Sequence, residues 1–81
     1  MPRPSPAYAY HPNLLSLAKA IKRSRKELGW SQEELAHRAD IDRAYVSGIE
    51  RGEHNVALIN LCKIASALEI KLSALLLLAK L

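Results

Sequence analysis

The chain contains no phenylalanine, one cysteine, three glycines, and no proline beyond residue 12. Each shortage excludes something. A single cysteine, Cys62, rules out an internal disulfide, and without a C-x-x-C pair there is no cysteine zinc site of the usual spacing. Cys62 falls on a predicted apolar helix face and is expected to be a buried structural thiol. With all four prolines between Pro2 and Pro12 and few β-branched residues, the composition predicts an all-α fold. The longest apolar run, Leu72 to Ala79 with Ser73 inside it, is too short to span a bilayer. No signal peptide is recognisable, so a cytoplasmic, membrane-free location is expected.

What is present fits one small helical domain. Of 81 residues, 49% are hydrophobic, enough for a compact core, and the net charge of +4 suits a polyanionic partner without proving one. Residues 1–12, holding every proline with Ser5, Tyr8 and Tyr10, read as a flexible N-terminal arm. Residues 13–81 read as the domain. Asn13 is expected to cap a first helix running to about Leu28, where Gly29 ends it. Its apolar stripe is Leu14, Leu17, Ala18, Ile21 and Leu28, with Arg25 on the same stripe. Lys19, Lys22, Arg23 and Lys26 lie on the other faces.

The stretch Ser31–Gly52 organises the rest. Ser31 and Glu34 form an S-x-x-E capping box, so a second helix starts there. Gln32, Leu35, Ala36 and Ala39 then recur at i, i+3, i+4 and i+7 on one face. Asp40-Ile41-Asp42 interrupts, Asp42 can cap a third helix carrying Val46 and Ile49, and Gly52 supplies a stop. Two short helices about a tight turn are the layout of a helix-turn-helix, whose second helix enters the DNA major groove. Asn55 is expected to open a fourth helix with Leu58, Leu61, Cys62, Ala65 and Leu68 on one side. Ser73 is expected to cap a last helix that points Leu75, Leu76 and Ala79 inward.

The motif resembles the phage-repressor and Cro-like family, in which L-G-x-[ST]-Q-x-E-L-A and I-E-x-G frame the helix-turn-helix. Here the blocks are Leu28-Gly29-Trp30-Ser31-Gln32-Glu33-Glu34-Leu35-Ala36 and Ile49-Glu50-Arg51-Gly52. The resemblance covers roughly Leu14 to Leu76. It implies a compact five-helix, lambda-repressor-like DNA-binding domain with the helix-turn-helix at helices 2 and 3. Two departures stand out. Asp40 takes a turn position where the family has Gly and must adopt a left-handed backbone, and Gly48 sits inside the third helix at a cost in propensity.

No convergent catalytic constellation is visible, and no enzyme activity is expected. His37 and Asp40 have helical metal-ligand spacing but no third partner, so no metal is expected, nor any other cofactor or small-molecule ligand. The binding reading is better supplied. Residues at the start of a recognition helix point into the groove, which makes Asp42, Arg43 and Ala44, then Ser47 and Gly48, candidate base readers. Arg43 is the one long donor among them, shaped to grip guanine O6 and N7; its alternative is a phosphate. Gln32 at a helix N-terminus suits a phosphate. Tyr45, Asn55, Arg23 and His37 complete the candidate backbone contacts, with Tyr45 divided between core and phosphate. The resemblance assigns Gln32 and Asn55 the same role. Trp30 is expected to staple against Leu35 or the stem of Glu34.

Arg25 and Glu50 are charges on otherwise apolar stripes and are expected to pair, since a lone buried charge is too costly. Leu77, Leu78 and Leu81 exceed what the core needs and suggest a homodimer through the C-terminal helix. The leading reading is a sequence-specific transcriptional regulator binding a palindromic operator in double-stranded DNA as a dimer. Within the family, restriction–modification controller proteins fit best. The alternative is a protein-interaction module, antitoxin or coactivator-like, on the same fold.

Overall fold

Five helices follow one another in the computed structural model, which describes residues 3–81: α1 (Pro12–Glu27), α2 (Gln32–Ala39), α3 (Arg43–Glu50), α4 (Leu58–Ala67) and α5 (Leu72–Leu78). Their main packing partners close a ring, α1 on α3, α3 on α2, α2 on α4, α4 on α5 and α5 back on α1. At its centre each helix supplies one fully buried side chain: Ile21, Leu35, Val46, Ile64 and Leu75. Burying an aliphatic side chain of this size contributes about 1.5–3 kcal/mol, so the five anchor the arrangement. In this ring α3 and α5 are not neighbours.

All five helices end in the same way. A left-handed residue closes each of them: Gly29 (φ +74°), Asp40 (φ 55°), Gly52 (φ +78°), Glu69 (φ 60°) and Lys80 (φ 60°). After α1, the N–H of Trp30 donates to the Arg25 carbonyl and that of Gly29 to Lys26. The same pair of bonds recurs after α2, where Ile41 donates to Ala36 and Asp40 to His37. These are Schellman ends, which satisfy carbonyls the helix leaves over. Asp40 thus takes a glycine's place in the turn of the helix-turn-helix, in the backbone conformation the sequence requires.

Several expectations are corrected. α1 starts earlier than Asn13: His11 is the cap, its Nδ1 accepting from the Asn13 N–H at 3.1 Å, and Pro12 takes the first position, where it needs no donor. The described part of the N-terminal arm is not free. It makes a turn over residues 6–10 and docks on the end of α3, with Ser5 N–H donating to the Glu53 carbonyl at 2.8 Å and Tyr10 N–H to Gly52 at 2.7 Å. Met1 and Pro2, part of that expected arm, lie outside the described residues.

Asn55 does not open α4. Residues 53–57 run without helix, with His54 and Val56 buried and Asn55 and Ala57 exposed, the alternation of an extended chain. The exposed thiol of Cys62 is a further correction. Ile64, Ala65 and Leu68 face the core, and Cys62 stands two residues, about 200° around the helix, from Ile64. Leu28 lies past the end of α1 and is exposed. Ser73 is inside α5, which begins at Leu72 without a side-chain cap.

Candidate nucleic-acid interface

α2 begins where its capping residue says it must: Ser31 Oγ accepts from the Glu34 N–H at 3.0 Å. Glu34 then pairs with Arg38 one turn on at 3.1 Å, and the Arg38 guanidinium lies 4.3 Å from the centre of the Trp30 ring. Trp30 thus carries a cation–π contact on its ring while it packs, partly buried, against the core that includes Leu35.

The angle between α1, α2 and α3 is set by a buried polar network. Arg25 Nε and Nη2 donate to the two carboxylate oxygens of Glu50 at 2.7 and 2.9 Å, and Arg25 Nη1 donates to the Trp30 carbonyl at 2.7 Å. Gln32 Nε2 adds a bond to Glu50 Oε1 at 3.1 Å. The side chains of Arg25 and Glu50 are 8% and 2% exposed, so the pair sits inside the fold. Bidentate geometry satisfies the carboxylate, and the Glu50 partnership holds the guanidinium pKa above its ordinary value. Gln32 is thereby oriented at the start of α2.

With one side fixed, α3 turns another outward. Asp42 and Arg43 are exposed and Ala44 and Ser47 half-buried. Arg43, Ser47 and Arg51 follow one another at four-residue spacing, hence along one edge. Arg51 donates to Ser47 Oγ and, by a short bond, to the Glu53 carboxylate, which holds the Arg51 pKa up and the Glu53 pKa down. The sequence reading missed Arg51; its place one turn beyond Ser47 was the available signal. Asp42 occupies the cap position of α3 but its side chain makes no capping bond.

Three expected contacts are corrected. Gly48 is buried against the His54 ring and presents nothing to a groove. The Tyr45 ring is buried, 8% exposed, and its hydroxyl accepts from Asn60 Nδ2 at 3.2 Å, so Tyr45 belongs to the core. Arg23 stands about 200° around α1 from Arg25 and so points away from α3. It pairs with Glu27 and lies in a hollow with Leu78, Ala79 and Lys80 of the C-terminal end. Asn55 is exposed and shares a cleft of about 320 Å³ with Tyr8, His11, Asn13 and Leu14. His37 is exposed beside Asp40 and Asp42 at the turn.

Leu77, Leu78 and Leu81 are 76%, 61% and 52% exposed; Leu58, expected on the apolar side of α4, is instead 64% exposed at its first turn, and Ile59, not singled out in the sequence, is 67% exposed. Among the described residues no group of three or more His, Cys, Asp and Glu is placed to hold a metal, and no helix is long and apolar enough to cross a membrane.

This arrangement has known counterparts. The family described as helix-turn-helix matches residues 21–75. The chain belongs to the helix-turn-helix family. A hypothetical transcription factor of Neisseria meningitidis is 48% identical over 61 residues, covering 75% of this chain and 58% of that relative. The chain thus spans less than two thirds of that protein. The control protein C.MunI of a Mycoplasma species is 50% identical over 56 residues, covering 68% of this chain and 76% of the relative. Among solved structures, the restriction–modification controller protein C.AhdI of Aeromonas hydrophila superposes with a TM-score of 0.75 at 42% identity, covering 76% of this chain and 94% of that one. Against this helix-turn-helix frame, α2 and α3 are the two helices of the motif and α3 is its recognition helix.

Proposed function

We propose that this helix-turn-helix protein is a sequence-specific transcriptional regulator that binds a two-fold symmetric site in double-stranded DNA as a homodimer. Among such regulators its similarity to C.MunI and C.AhdI favours a controller of a restriction–modification system. One observation carries the reading: the buried Arg25–Glu50–Gln32 network fixes the back of α3 while Arg43 stays exposed at its start.

In this reading Arg43 reads a base pair, a guanine being the partner its fork fits, with Asp42, Ala44 and Ser47 beside it. Gln32, Asn55 and His37 meet the phosphate backbone, which fixes register without carrying sequence. A single recognition helix covers too few base pairs to select one site among a genome's competitors, and a dimer doubles the reading. Leu77, Leu78 and Leu81, joined by Leu58 and Ile59, are the surface assigned to the second copy. A two-fold contact buries the same residues twice, at about 1.5–3 kcal/mol per buried leucine before the association cost. No catalytic step, cofactor or small-molecule ligand enters the account.

The test is selection of bound duplexes from a random pool, followed by Arg43→Ala. The variant is expected to lose about 1–3 kcal/mol on the selected duplex and far less on a scrambled one. Equal losses on both would reduce Arg43 to a phosphate contact.

A further inference from the structure

His54 lies in the connection between α3 and α4, yet it is only 6% exposed. Its ring packs against that of Tyr45, with centroids 5.0 Å apart and planes inclined at 55°. On another side it rests on bare helix backbone. A methyl group placed on Gly48 would stand 2.3 Å from His54 Nε2 and 2.7 Å from Cδ2, closer than atoms can approach. Tyr45 and Gly48 are three residues apart, so they are neighbours on one face of α3 and form a slot that the imidazole fills. The slot accounts for a glycine in the middle of a helix, where it costs about 0.5–1 kcal/mol relative to alanine.

The slot is braced and connected. Asn60 of α4 donates to the Tyr45 hydroxyl at 3.2 Å and holds that wall in place. The Glu53 N–H donates to the Gly48 carbonyl at 3.1 Å, while the Glu53 and Gly52 carbonyls receive Ser5 and Tyr10 of the N-terminal segment. Asn55, the next residue along, is exposed. One ring therefore joins the inner face of α3 to the loop that carries Asn55 and on which residues 5–10 are seated.

We infer that His54 is a positioning residue for DNA reading: seated in the Gly48–Tyr45 slot, it locks the recognition helix to the loop bearing Asn55, so that Arg43 and Asn55 meet one duplex at a fixed spacing. This rests on the DNA-reading function proposed above. Phosphate contacts set the register in which base contacts are made, so a loop free to shift against α3 weakens the selected site more than random DNA.

The experiment is a cycle of four chains: wild type, Gly48→Ala, His54→Ala and the double variant. Thermal melts are compared first. In the wild-type background Gly48→Ala should lower Tm by about 5 °C or more, because the ring is expelled from its slot. In the His54→Ala background the same change should raise Tm by about 3–8 °C, because only the helix-propensity gain is left. Binding is then measured by fluorescence anisotropy at a temperature where all four are folded, on the best duplex from a random-pool selection and on its scrambled counterpart. His54→Ala should bind the selected duplex about tenfold more weakly and the scrambled one with a loss of less than about threefold. A Gly48→Ala effect of the same sign in both backgrounds overturns the slot. A lower Tm with unchanged affinity for the selected duplex reduces His54 to packing and overturns the positioning role. If wild type selects no duplex, the DNA-reading function itself falls and the positioning role with it, while the melts still decide the slot.

Discussion

The α1–α3 side of this molecule and the α4–α5 side break the usual rule of burial in opposite directions. On the first, two charges are inside: Arg25 and Glu50 are almost wholly buried and fully bonded to each other, to Gln32 and to the Trp30 carbonyl. On the second, leucines are outside: Leu58, Leu77, Leu78 and Leu81 all face solvent by more than half. A buried charge pair adds little net stability over an apolar replacement but tolerates no loss of one partner. An exposed apolar surface adds nothing to the monomer and gains only when covered. The polar site therefore fixes a geometry, and the apolar site waits for a contact. The first suits the back of a recognition helix, and the second suits the subunit interface proposed above.

Breaking the polar side should have the largest effect. Glu50→Ala strands the Arg25 guanidinium in the interior and is expected to cost about 3–5 kcal/mol, read as a fall in Tm or in the denaturant midpoint. An unchanged melt would mean that the pair does not hold the helices. On the apolar side, Leu78→Glu is expected to leave the helical circular dichroism intact and to convert a dimer into monomers by sedimentation. It should also weaken operator binding strongly, since each monomer reads half a site. A wild-type chain that sediments as a monomer at tens of micromolar would remove the interface from the account.

Smaller effects sharpen the contrast. Asp40 holds a left-handed turn that glycine adopts without penalty, so Asp40→Gly should raise stability by up to about 1 kcal/mol. A fall would show that the Asp40 side chain has a local task. Glu53 has its pKa lowered, chiefly by its bond from Arg51. A depressed carboxyl contributes stability that is present above the ordinary carboxyl pKa, about 4.3, and lost as pH falls through the folded value. The Tm difference between wild type and Glu53→Gln should accordingly be small and constant above about pH 5, and should vanish in more acid solution.

Much of the fold was legible because its signals are local and periodic. The Ser31–Glu34 cap, the 3.6-residue recurrence of Leu35, Ala36 and Ala39, and Gly29 and Gly52 as stops each act within one turn of chain. The Arg25–Glu50 pairing was legible for a different reason: a charge on an apolar stripe has few ways to be satisfied. What escaped depends on contacts between segments. The run 53–57 buries alternate residues, but five residues with period two are too few to separate from a helix start at Asn55. A glycine in a helix reads as a weakness or an open surface until the His54 ring appears against it. The proline-rich start reads as an arm because its anchors are backbone bonds to Gly52 and Glu53, which no side chain announces. Cys62 and Ile59 were misjudged or missed because α4 is apolar on more than one face, and only packing against α2 and α5 decides which face is covered.

Two copies of α3, each held by its buried network and joined through α5, are proposed to read one symmetric site. Selection from a random duplex pool followed by hydroxyl-radical footprinting on the winner tests this proposal most directly. The expected outcome is an enriched inverted repeat with two protected half-sites centred about 34 Å, one DNA turn, apart. No enriched sequence, or one protected patch without two-fold symmetry, would contradict it.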